Sequence, residues 1–453
     1  MGRLTVPIMD RIIRTRRTEI GLTSRWGAVL FMIVVALSAV VLAWEAVRTA
    51  AAETLVNIHR SSCLRWAVEL DPNNPSVRDK LGQYYLYSMK GGDLREAIRQ
   101  FRRATELSPQ NANYWLDLST GCGSSGNEVC AHSAFRRTIK LSPMTPRFEW
   151  AWALQLLATN RSMEALPHLR RVLKLDASYA SQVFRVSPWA LNHPHTVLQK
   201  LLPAASGNLL KLDYLNFLCA HGKTDSAYFE WTHALAGDKS VQFASIRTFL
   251  DQLIDQKQIA EATTVWRDLE GSGIIRHSNE ADKGNLVYNG NFTSAPLNGG
   301  YGWRVQKSPY LALAFRSLPS SRGNHGLRID FIVPRNDEFR PLYQYVPVNP
   351  QTPYLLSARM QSANISSDSG PRVRVVDPLC DACLDVLTES SVGTSGPHTV
   401  SRKFKTGENT RLVCLEVWRP RSVNFPADIT GTFWLQDVSL IALPRRPRQR
   451  SLN

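Results

Sequence analysis

Two cysteine pairs have spacings that could support redox chemistry. Cys380 and Cys383 form a C-x-x-C motif, and Cys122 and Cys130 lie close together in the chain. A redox-active C-x-x-C begins a helix after a strand, but this one lies among predicted strands, which favours a loop disulfide. Either pair can form a local bridge in an exported chain, although spacing alone leaves the connectivity open.

Motifs for hydrolysis or phosphoryl transfer are absent from the sequence. It contains no G-x-S-x-G, Walker loop, H-E-x-x-H or paired zinc-type C-x-x-C. His193 and His195 have no cysteine or carboxylate at ligand spacing, which favours polar loop residues over a metal site. Scattered Asp and Glu residues mark out no acid–base pair, but glycosidase activity stays an alternative because such a pair could form in the folded chain. We therefore predict that the chain is not an enzyme.

Alternation along several predicted strands offers a different chemistry, the binding of sugar. Apolar and polar residues alternate, so the two sets face opposite sides of a sheet. Charged side chains can satisfy sugar hydroxyls, and a flat aromatic ring can stack on sugar C–H bonds. The polar set predicts one candidate glycan face: Arg328, Asp330, Arg359, Arg372, Arg374, Glu416 and Trp418. An ordinary solvated face is an equally good interpretation.

A second aromatic candidate for the glycan site lies in the first long loop of the same region. It contains Tyr301, Trp303 and Tyr310. Exposed aromatic rings would suit a sugar, whereas a tryptophan buried among strands would serve only packing. We favour a core position for Trp303 and keep both interpretations.

The segment 26–44 predicts a membrane span. Its sequence, WGAVLFMIVVALSAVVLAW, carries no charge and has a tryptophan at each end. At about 1.5 Å per residue it can cross a hydrocarbon core of roughly 30 Å. The arginine-rich segment 1–25 predicts a cytoplasmic N-terminus, with the bulk of the chain beyond the membrane. A cleaved signal peptide, with Ala50, Ala51 and Ala52 at the peptidase site, is the alternative.

The net charge of +16 could suggest nucleic acid. Roughly half of the excess lies in the two end segments 1–25 and 444–453, which is not the footprint of a folded nucleic-acid surface. Positive ends beside a membrane account for it better.

Residues 55–180 contain a repeat. Four segments end alike, as AVELDP, ATELSP, TIKLSP and VLKLDA, at intervals of 37, 34 and 34 residues. In three of them an alanine is followed four positions later by Phe101, Phe135 or Leu169. This spacing puts a small residue where two helices touch and a large one in the next groove.

Leu81, Gly82 and Tyr85 add an L-G-x-x-Y pattern in the preceding helix. With it, the segment resembles the tetratricopeptide repeat family. The resemblance implies stacked hairpins whose concave groove binds a protein partner; a mere spacer is the alternative. The loop GCGSSGN at 121–127 departs from the family pattern, so the sequence does not define the geometry of that hairpin. Residues 181–272 are predicted to form degenerate hairpins of the same kind, at 211–235 and 246–270.

Beyond residue 272 short alternating runs predict an all-β jelly-roll sandwich over 284–443. Candidate strands are 327–331, 342–348, 354–361, 372–377, 399–404, 411–418 and 432–443.

Several local motifs support the sandwich: NLVYNGNF at 285–292, Gly302-Trp303, 344–348, 354–358 and LQDVSL at 435–440. In this order they resemble carbohydrate-binding modules with a galactose-binding-like jelly roll. The resemblance implies an opening strand at 285–292. We predict no cofactor. The resemblance implies one alternative, a structural calcium ion near Thr293 and Asp437.

Taken together, the sequence predicts a multidomain protein: one N-terminal transmembrane helix, an all-α tetratricopeptide-type superhelix and an all-β sandwich. The predicted function is a scaffold in the bacterial inner membrane with its bulk in the periplasm. It would bind a protein partner and a polysaccharide, in envelope polysaccharide assembly or export, and no nucleic acid. The alternatives are a pure protein–protein assembly factor with a structural sandwich, or a glycoside hydrolase.

Overall fold

A computed structural model describes residues 25–444 except 59, 89–91, 203–206, 240, 276–283, 318–324 and 381. Apart from Arg25 and Pro444, the predicted basic segments 1–25 and 444–453 lie outside the described residues. By its contacts the chain divides between Arg161 and Ser162 into two compact units, here called the first and second units. The finer domain limits stay a prediction.

The first unit is helical. Its helices are α1 (Arg25–Val56), α2 (Ser61–Leu70), α3 (Pro75–Tyr87), α4 (Leu94–Leu107), α5 (Ala112–Ser124), α6 (Glu128–Leu141) and α7 (Pro146–Ala158). Short turns separate them, and at α3, α4, α5 and α6 a side chain just before the helix caps its free backbone N–H groups. Asn74 accepts hydrogen bonds from the N–H groups of Ser76 and Val77, and Asp93 caps α4 in the same way.

Helix α1 passes without a break from the apolar segment into this helical unit. Within it, Trp26–Val56 is long and apolar enough to cross a membrane, and its most apolar window has none of its residues buried. Beyond Trp44 the same helix packs on α2 and α3, where Ala52, Ala67 and Val77 form a small buried cluster. The helix that contains the possible membrane span is therefore also the first helix of the first hairpin.

The repeat pattern is confirmed by burial. The alanines at 97, 131 and 165 and the large residues Phe101, Phe135 and Leu169 are all buried. Residues 121–124, where the sequence did not define the geometry of the hairpin, continue α5 as helix. Cys122 and Cys130 form a disulfide across that hairpin.

The second unit begins with more helices. These are α8 (Ser162–Leu175), α9 (Ala180–Val186), α10 (Pro194–Thr196), α11 (Gly207–Ala220), α12 (Thr224–Ala234), α13 (Phe243–Asp255) and α14 (Ile259–Gly271). The predicted hairpins at 211–235 and 246–270 are confirmed as α11–α12 and α13–α14. Ala227, Trp231, Ala262 and Trp266 are all buried, and Trp266 packs against Tyr288 and Tyr301.

Ten strands follow in the described part of this unit. They are β1 (Arg304–Val305), β2 (Leu311–Ser317), β3 (His325–Arg335), β4 (Phe339–Pro347), β5 (Pro353–Ile365), β6 (Arg372–Val376), β7 (Asp385–Leu387), β8 (Gly393–Lys405), β9 (Leu412–Arg419) and β10 (Ile429–Ala442). They form two five-stranded antiparallel sheets, in the orders β1-β4-β9-β6-β7 and β2-β3-β10-β5-β8. We call these the first and second sheets. The predicted fold class, helices followed by an all-β sandwich behind one possible transmembrane helix, is confirmed.

The sandwich core is made of the apolar residues that alternation placed inward. Leu327, Ile329, Leu356, Val375 and Leu415 are each at most 1% exposed. All seven candidate strands are present, while β1, β2 and β7 were not predicted.

The predicted opening strand at 285–292 is wrong. Apart from one isolated bridge between Asn285 and Ile441, the segment forms turns. Only its ends bond to the backbone of β10, through Leu286 to Leu440 and Gly290 to Val438. Between them Gln344, fully buried in β4, accepts from the Tyr288 N–H and donates to the Tyr288 carbonyl. Asn289 and Phe292 take positive φ angles of 52° and 56°, which a strand does not allow.

Helix α13 holds the loop that enters β1. The Asp251 carboxylate accepts hydrogen bonds of 2.7 Å from the Gly300 N–H and from the Arg304 guanidinium. Gly300 has φ of 54°, and a Cβ there would lie 2.5 Å from Leu250. The α13–α14 hairpin and the sandwich are therefore packed directly against each other within the second unit.

Candidate functional site

The predicted single glycan face is wrong, because its residues lie on two different sheets. Strands β3 and β5, which carry Arg328, Asp330 and Arg359, both pair with β10 in the second sheet. Strands β6 and β9, which carry Arg372, Arg374, Glu416 and Trp418, pair with each other in the first sheet. The outer sides of the two sheets face away from each other, so these residues form two separate surfaces.

Tyr301 and Trp303 are not available to a ligand. Trp303 is 1% exposed, stacks on Phe292 and donates its indole N–H to the Asn289 carbonyl. The Tyr301 hydroxyl bonds to Thr263 and to a carbonyl of α14. Their assignment to the site is wrong, and the alternative core position of Trp303 is confirmed.

The outer side of the first sheet brings four strands together in one charged row. Arg374 lies opposite Glu416, Glu416 opposite Tyr343, and Tyr343 opposite Arg304. Tyr345 lies two residues further along β4 and therefore faces the same side. We call this surface the Arg–aromatic face; it comprises Arg304, Arg340, Tyr343, Tyr345, Arg372, Arg374, Asp385, Glu416 and Trp418.

Glu416 is the centre of the Arg–aromatic face. It is only 2% exposed, although it lies on the outer side, because the side chains of Arg340 and Arg374 lie beside it at 3.3 and 3.4 Å. Burial raises the pKa of Glu416, while the two arginines oppose that rise. Arg374 also holds Asp385 through two hydrogen bonds of 2.8 Å, a rigid forked pair.

Each aromatic ring of the face has a guanidinium over it. The Arg374 guanidinium carbon lies 4.4 Å from the Trp418 ring centre, that of Arg340 4.6 Å from Tyr343, and that of Arg304 5.2 Å from Tyr345. A guanidinium stacked on a ring keeps its in-plane N–H groups directed outward. The face therefore presents hydrogen-bond donors backed by flat apolar rings.

Sequence reasoning missed Arg304, Arg340, Tyr343, Tyr345 and Asp385. One signal could have found the tyrosines: they alternate in LYQYVPV with the inward Leu342 and Gln344. The arginines and Asp385 lie on strands whose pairing partners cannot be predicted from the local sequence.

A cleft of about 610 Å³ adjoins one end of the Arg–aromatic face. Arg340 lines both, and Glu338 of the cleft accepts a 2.7 Å hydrogen bond from the Trp418 indole N–H. Tyr310, Asp337 and Arg421 also line it. The face and cleft form one continuous polar surface.

The outer side of the second sheet is a smaller counterpart. Arg328 pairs with Asp330 at 2.9 Å and lies 5.8 Å from the Trp434 ring. Asp330 also accepts a 2.7 Å hydrogen bond from Thr432. This similar group on the opposite side is a matched control for the Arg–aromatic face.

In the first unit, the first helices of two repeats hold a pair of acids. The Gln83 amide donates to Asp79 at 2.9 Å and to Asp117 at 3.0 Å, which brings the two carboxylates close together. Burial and the charge of Asp117 raise the pKa of Asp79 to about 8, and burial raises the pKa of Asp117. Lys80 lies next to both carboxylates, and Arg147 faces Asp117.

This pair predicts that the first unit loses stability as pH rises. Because the pKa of Asp79 is higher folded than unfolded, its contribution is full below about pH 4 and disappears as pH passes through 8. Asp79→Asn keeps a neutral side chain at every pH and should flatten this slope, raising the melting temperature at pH 7.5 and changing it little at pH 4.5. Calorimetry of the detergent-solubilised chain measures this, with exposed Glu69→Gln as the control. An unchanged slope in Asp79→Asn would contradict the assignment.

No group of three or more His, Cys, Asp and Glu side chains suited to a metal ion occurs in the described residues. His195 lies 3.9 Å from Glu230, and His193 lies directly before the short α10. Near the expected calcium position, Val438 beside Asp437 donates its N–H to the Gly290 carbonyl. Cys380 and Cys383 form a disulfide, as their loop position predicted.

No protein-family model matches the chain, and no curated protein matches it. Among solved structures, one described as "CBM4 structure and function" is 12% identical, covering 35% of this chain and 99% of that one at a TM-score of 0.26. "Crystal structure of MamA" is 20% identical, covering 30% and 87% at 0.25. "MamA MSR-1 C2" is 24% identical, covering 26% and 66% at 0.23.

These likenesses are too distant to assign a function. The chain is defined by its own architecture: a helical hairpin array behind a possible membrane span, followed by a two-sheet β-sandwich with a charged aromatic outer face.

Proposed function

We propose that the protein is a membrane-anchored extracytoplasmic scaffold. Its helical repeats bind a protein partner, and its Arg–aromatic face binds glycan, in the assembly or export of envelope polysaccharide. One observation carries the glycan assignment: side chains from neighbouring strands form a group of arginine–carboxylate pairs, one of them forked, whose arginines lie over aromatic rings. Such a surface satisfies sugar hydroxyls through fixed donors and acceptors.

Anchoring rests on two further features. The helix Trp26–Val56 is long and apolar enough to span. The arginine-rich sequence before it supports an N-terminus in the cytoplasm and a bulk in the periplasm of a bacterial cell. The proposal assigns binding, and no catalysis, to the ectodomain; hydrolysis of envelope polysaccharide by the purified chain would contradict it.

The glycan assignment predicts that Arg374→Met weakens binding about 10-fold or more, because it removes charge-assisted hydrogen bonds worth roughly 1.5–3 kcal/mol. The full chain is reconstituted in lipid nanodiscs and tested by glycan array and by affinity electrophoresis in polysaccharide gels. Arg328→Met is the matched control, since Arg328 also pairs with an acid and lies over a tryptophan, but on the second sheet.

Equal losses in both variants would show that the Arg–aromatic face is not the site. If the wild-type chain binds no glycan, the pure assembly factor with a structural sandwich becomes the better hypothesis.

A further inference from the structure

The height of the first repeats above the membrane follows from helix α1. Trp44 closes the apolar segment, and Arg48 lies one turn later, about 6 Å further along the axis. The Arg48 guanidinium lies 3.7 Å from the carboxylate of Asp71, which begins the turn between α2 and α3. The interfacial layer of a bilayer is roughly 5–7 Å deep on each side, so this turn lies at the level of the lipid headgroups.

Arg78, in the first turn of α3, is attached to the same turn. Arg78 donates from its Nε to the Pro72 carbonyl at 3.0 Å and from another guanidinium nitrogen to Gln100 at 3.1 Å. Arg103 lies three residues after Gln100 on the same face of α4, which brings it near the Arg78 guanidinium. Burial, and then the positive charge of Arg103, lower the pKa of Arg78, so the two cations repel each other. Arg103 pairs with Glu106 at 3.0 Å, whereas Arg78 forms no ion pair with a carboxylate among the described residues.

We infer that Arg78 and Arg103 form a binding site for the phosphate of a membrane lipid. The site rests on the proposed anchoring, and it adds a second contact with the bilayer that α1 spans. Both guanidinium groups keep N–H donors that the protein does not use, and a phosphate placed between them relieves their repulsion. The lower edge of the array is thereby held on the headgroup layer, which fixes the orientation of the repeats.

The position of this edge is tested with the full chain in nanodiscs. An environment-sensitive fluorophore is introduced as an unnatural amino acid at Asn73 in the α2–α3 turn, or at Ser125 after α5. Both positions are exposed, but because successive hairpin helices run in opposite directions, Ser125 lies at the other edge, about 20 Å away along a 13-residue helix. Quenching by headgroup-labelled lipid should be strong at position 73 and absent at position 125.

The ligand is tested in detergent. Phosphatidylglycerol should raise the melting temperature of the wild-type chain by several degrees, and Arg78→Gln/Arg103→Gln should lose that shift. Arg95→Gln, an exposed arginine at the far end of α4, should keep it. If inorganic phosphate gives the same shift, the site takes free anions and the assignment to lipid is wrong.

Failure of this inference is distinguishable from failure of the anchor. A chain that does not enter nanodiscs contradicts the proposed function itself. A chain that enters them but shows equal quenching at both positions, or a double variant that responds to lipid like the wild type, overturns only the headgroup site.

Discussion

Replacing Arg419 by Met should destabilise the sandwich by about 3–5 kcal/mol, the typical cost of breaking a buried network of charged hydrogen bonds. Arg419 is 1% exposed at the end of β9. Its guanidinium donates to the carbonyls of Ser369, Asp337 and Ala427 at 2.9, 2.7 and 2.8 Å, and to the Ser367 hydroxyl at 3.1 Å. These acceptors belong to three loops, so one side chain joins them at the same end of the sandwich.

The loss is measured by urea unfolding of the detergent-solubilised chain, followed by the fluorescence of the sandwich tryptophans. Arg421→Met is the matched control, because Arg421 is exposed two residues further on and its replacement should change stability by less than about 0.5 kcal/mol. If both variants unfold at the same denaturant concentration as the wild type, Arg419 does not hold the loops together.

Alternation could place Arg419 but could not identify its partners. The inward positions Val413, Leu415 and Val417 continue at Arg419 with the same period of two. An inward arginine signals a buried network. Its acceptors, however, lie between 8 and 82 residues away in the sequence, and no local pattern encodes such distances.

The helical part was largely predictable because its contacts are local in the sequence. Its contacts repeat every 34 residues and depend on residues three or four positions apart, so the sequence itself displays them. Ala97, Phe101 and Ala104 are all fully buried in α4, as their spacing predicted.

A strand can also be predicted from its local sequence, but the sheet to which that strand belongs cannot. Strands β5 and β6 follow each other in the chain, yet β5 pairs with β10 and β6 with β9. Residues on consecutive strands, such as Arg359 and Arg372, therefore lie on opposite outer surfaces. This crossover divided the predicted glycan face between the two sheets. The pairing of β4 with β1 and β9 brought Arg304 and Tyr343 into the Arg–aromatic face.

Side-chain hydrogen bonds explain the error at the start of the sandwich. The motif at 285–292 resembles an opening strand in composition, but at Tyr288 the side chain of Gln344 supplies the partners that a neighbouring strand would supply. A buried amide can satisfy both the N–H and the C=O of one residue, so Tyr288 needs no strand partner and the pairing with β10 is interrupted there.

In the helical array, the largest expected effect comes from Phe101. Its ring lies between the first helices of two repeats, where a Cβ on Gly82 would be 2.6 Å, and one on Gly121 3.1 Å, from its atoms. Phe101→Ala should cost about 3–5 kcal/mol, because it removes a fully buried ring and leaves a cavity. Urea unfolding followed by far-ultraviolet circular dichroism measures the loss, with Val129→Ala, 82% exposed on α6, as the control.

The glycines give this explanation a sharper test. Gly82→Ala alone should cost roughly 1–3 kcal/mol through overpacking against a ring that cannot move, and Gly121→Ala should cost less, since its contact is looser. In the Phe101→Ala background, Gly82→Ala should become nearly neutral, because the added methyl group then enters the cavity. Strictly additive losses would show that the ring and the glycine are not in contact, since only neighbouring residues couple strongly in such a cycle. The family-like L-G-x-x-Y pattern therefore has a physical cause here: a helix must lack a side chain where the aromatic ring of its partner helix lies.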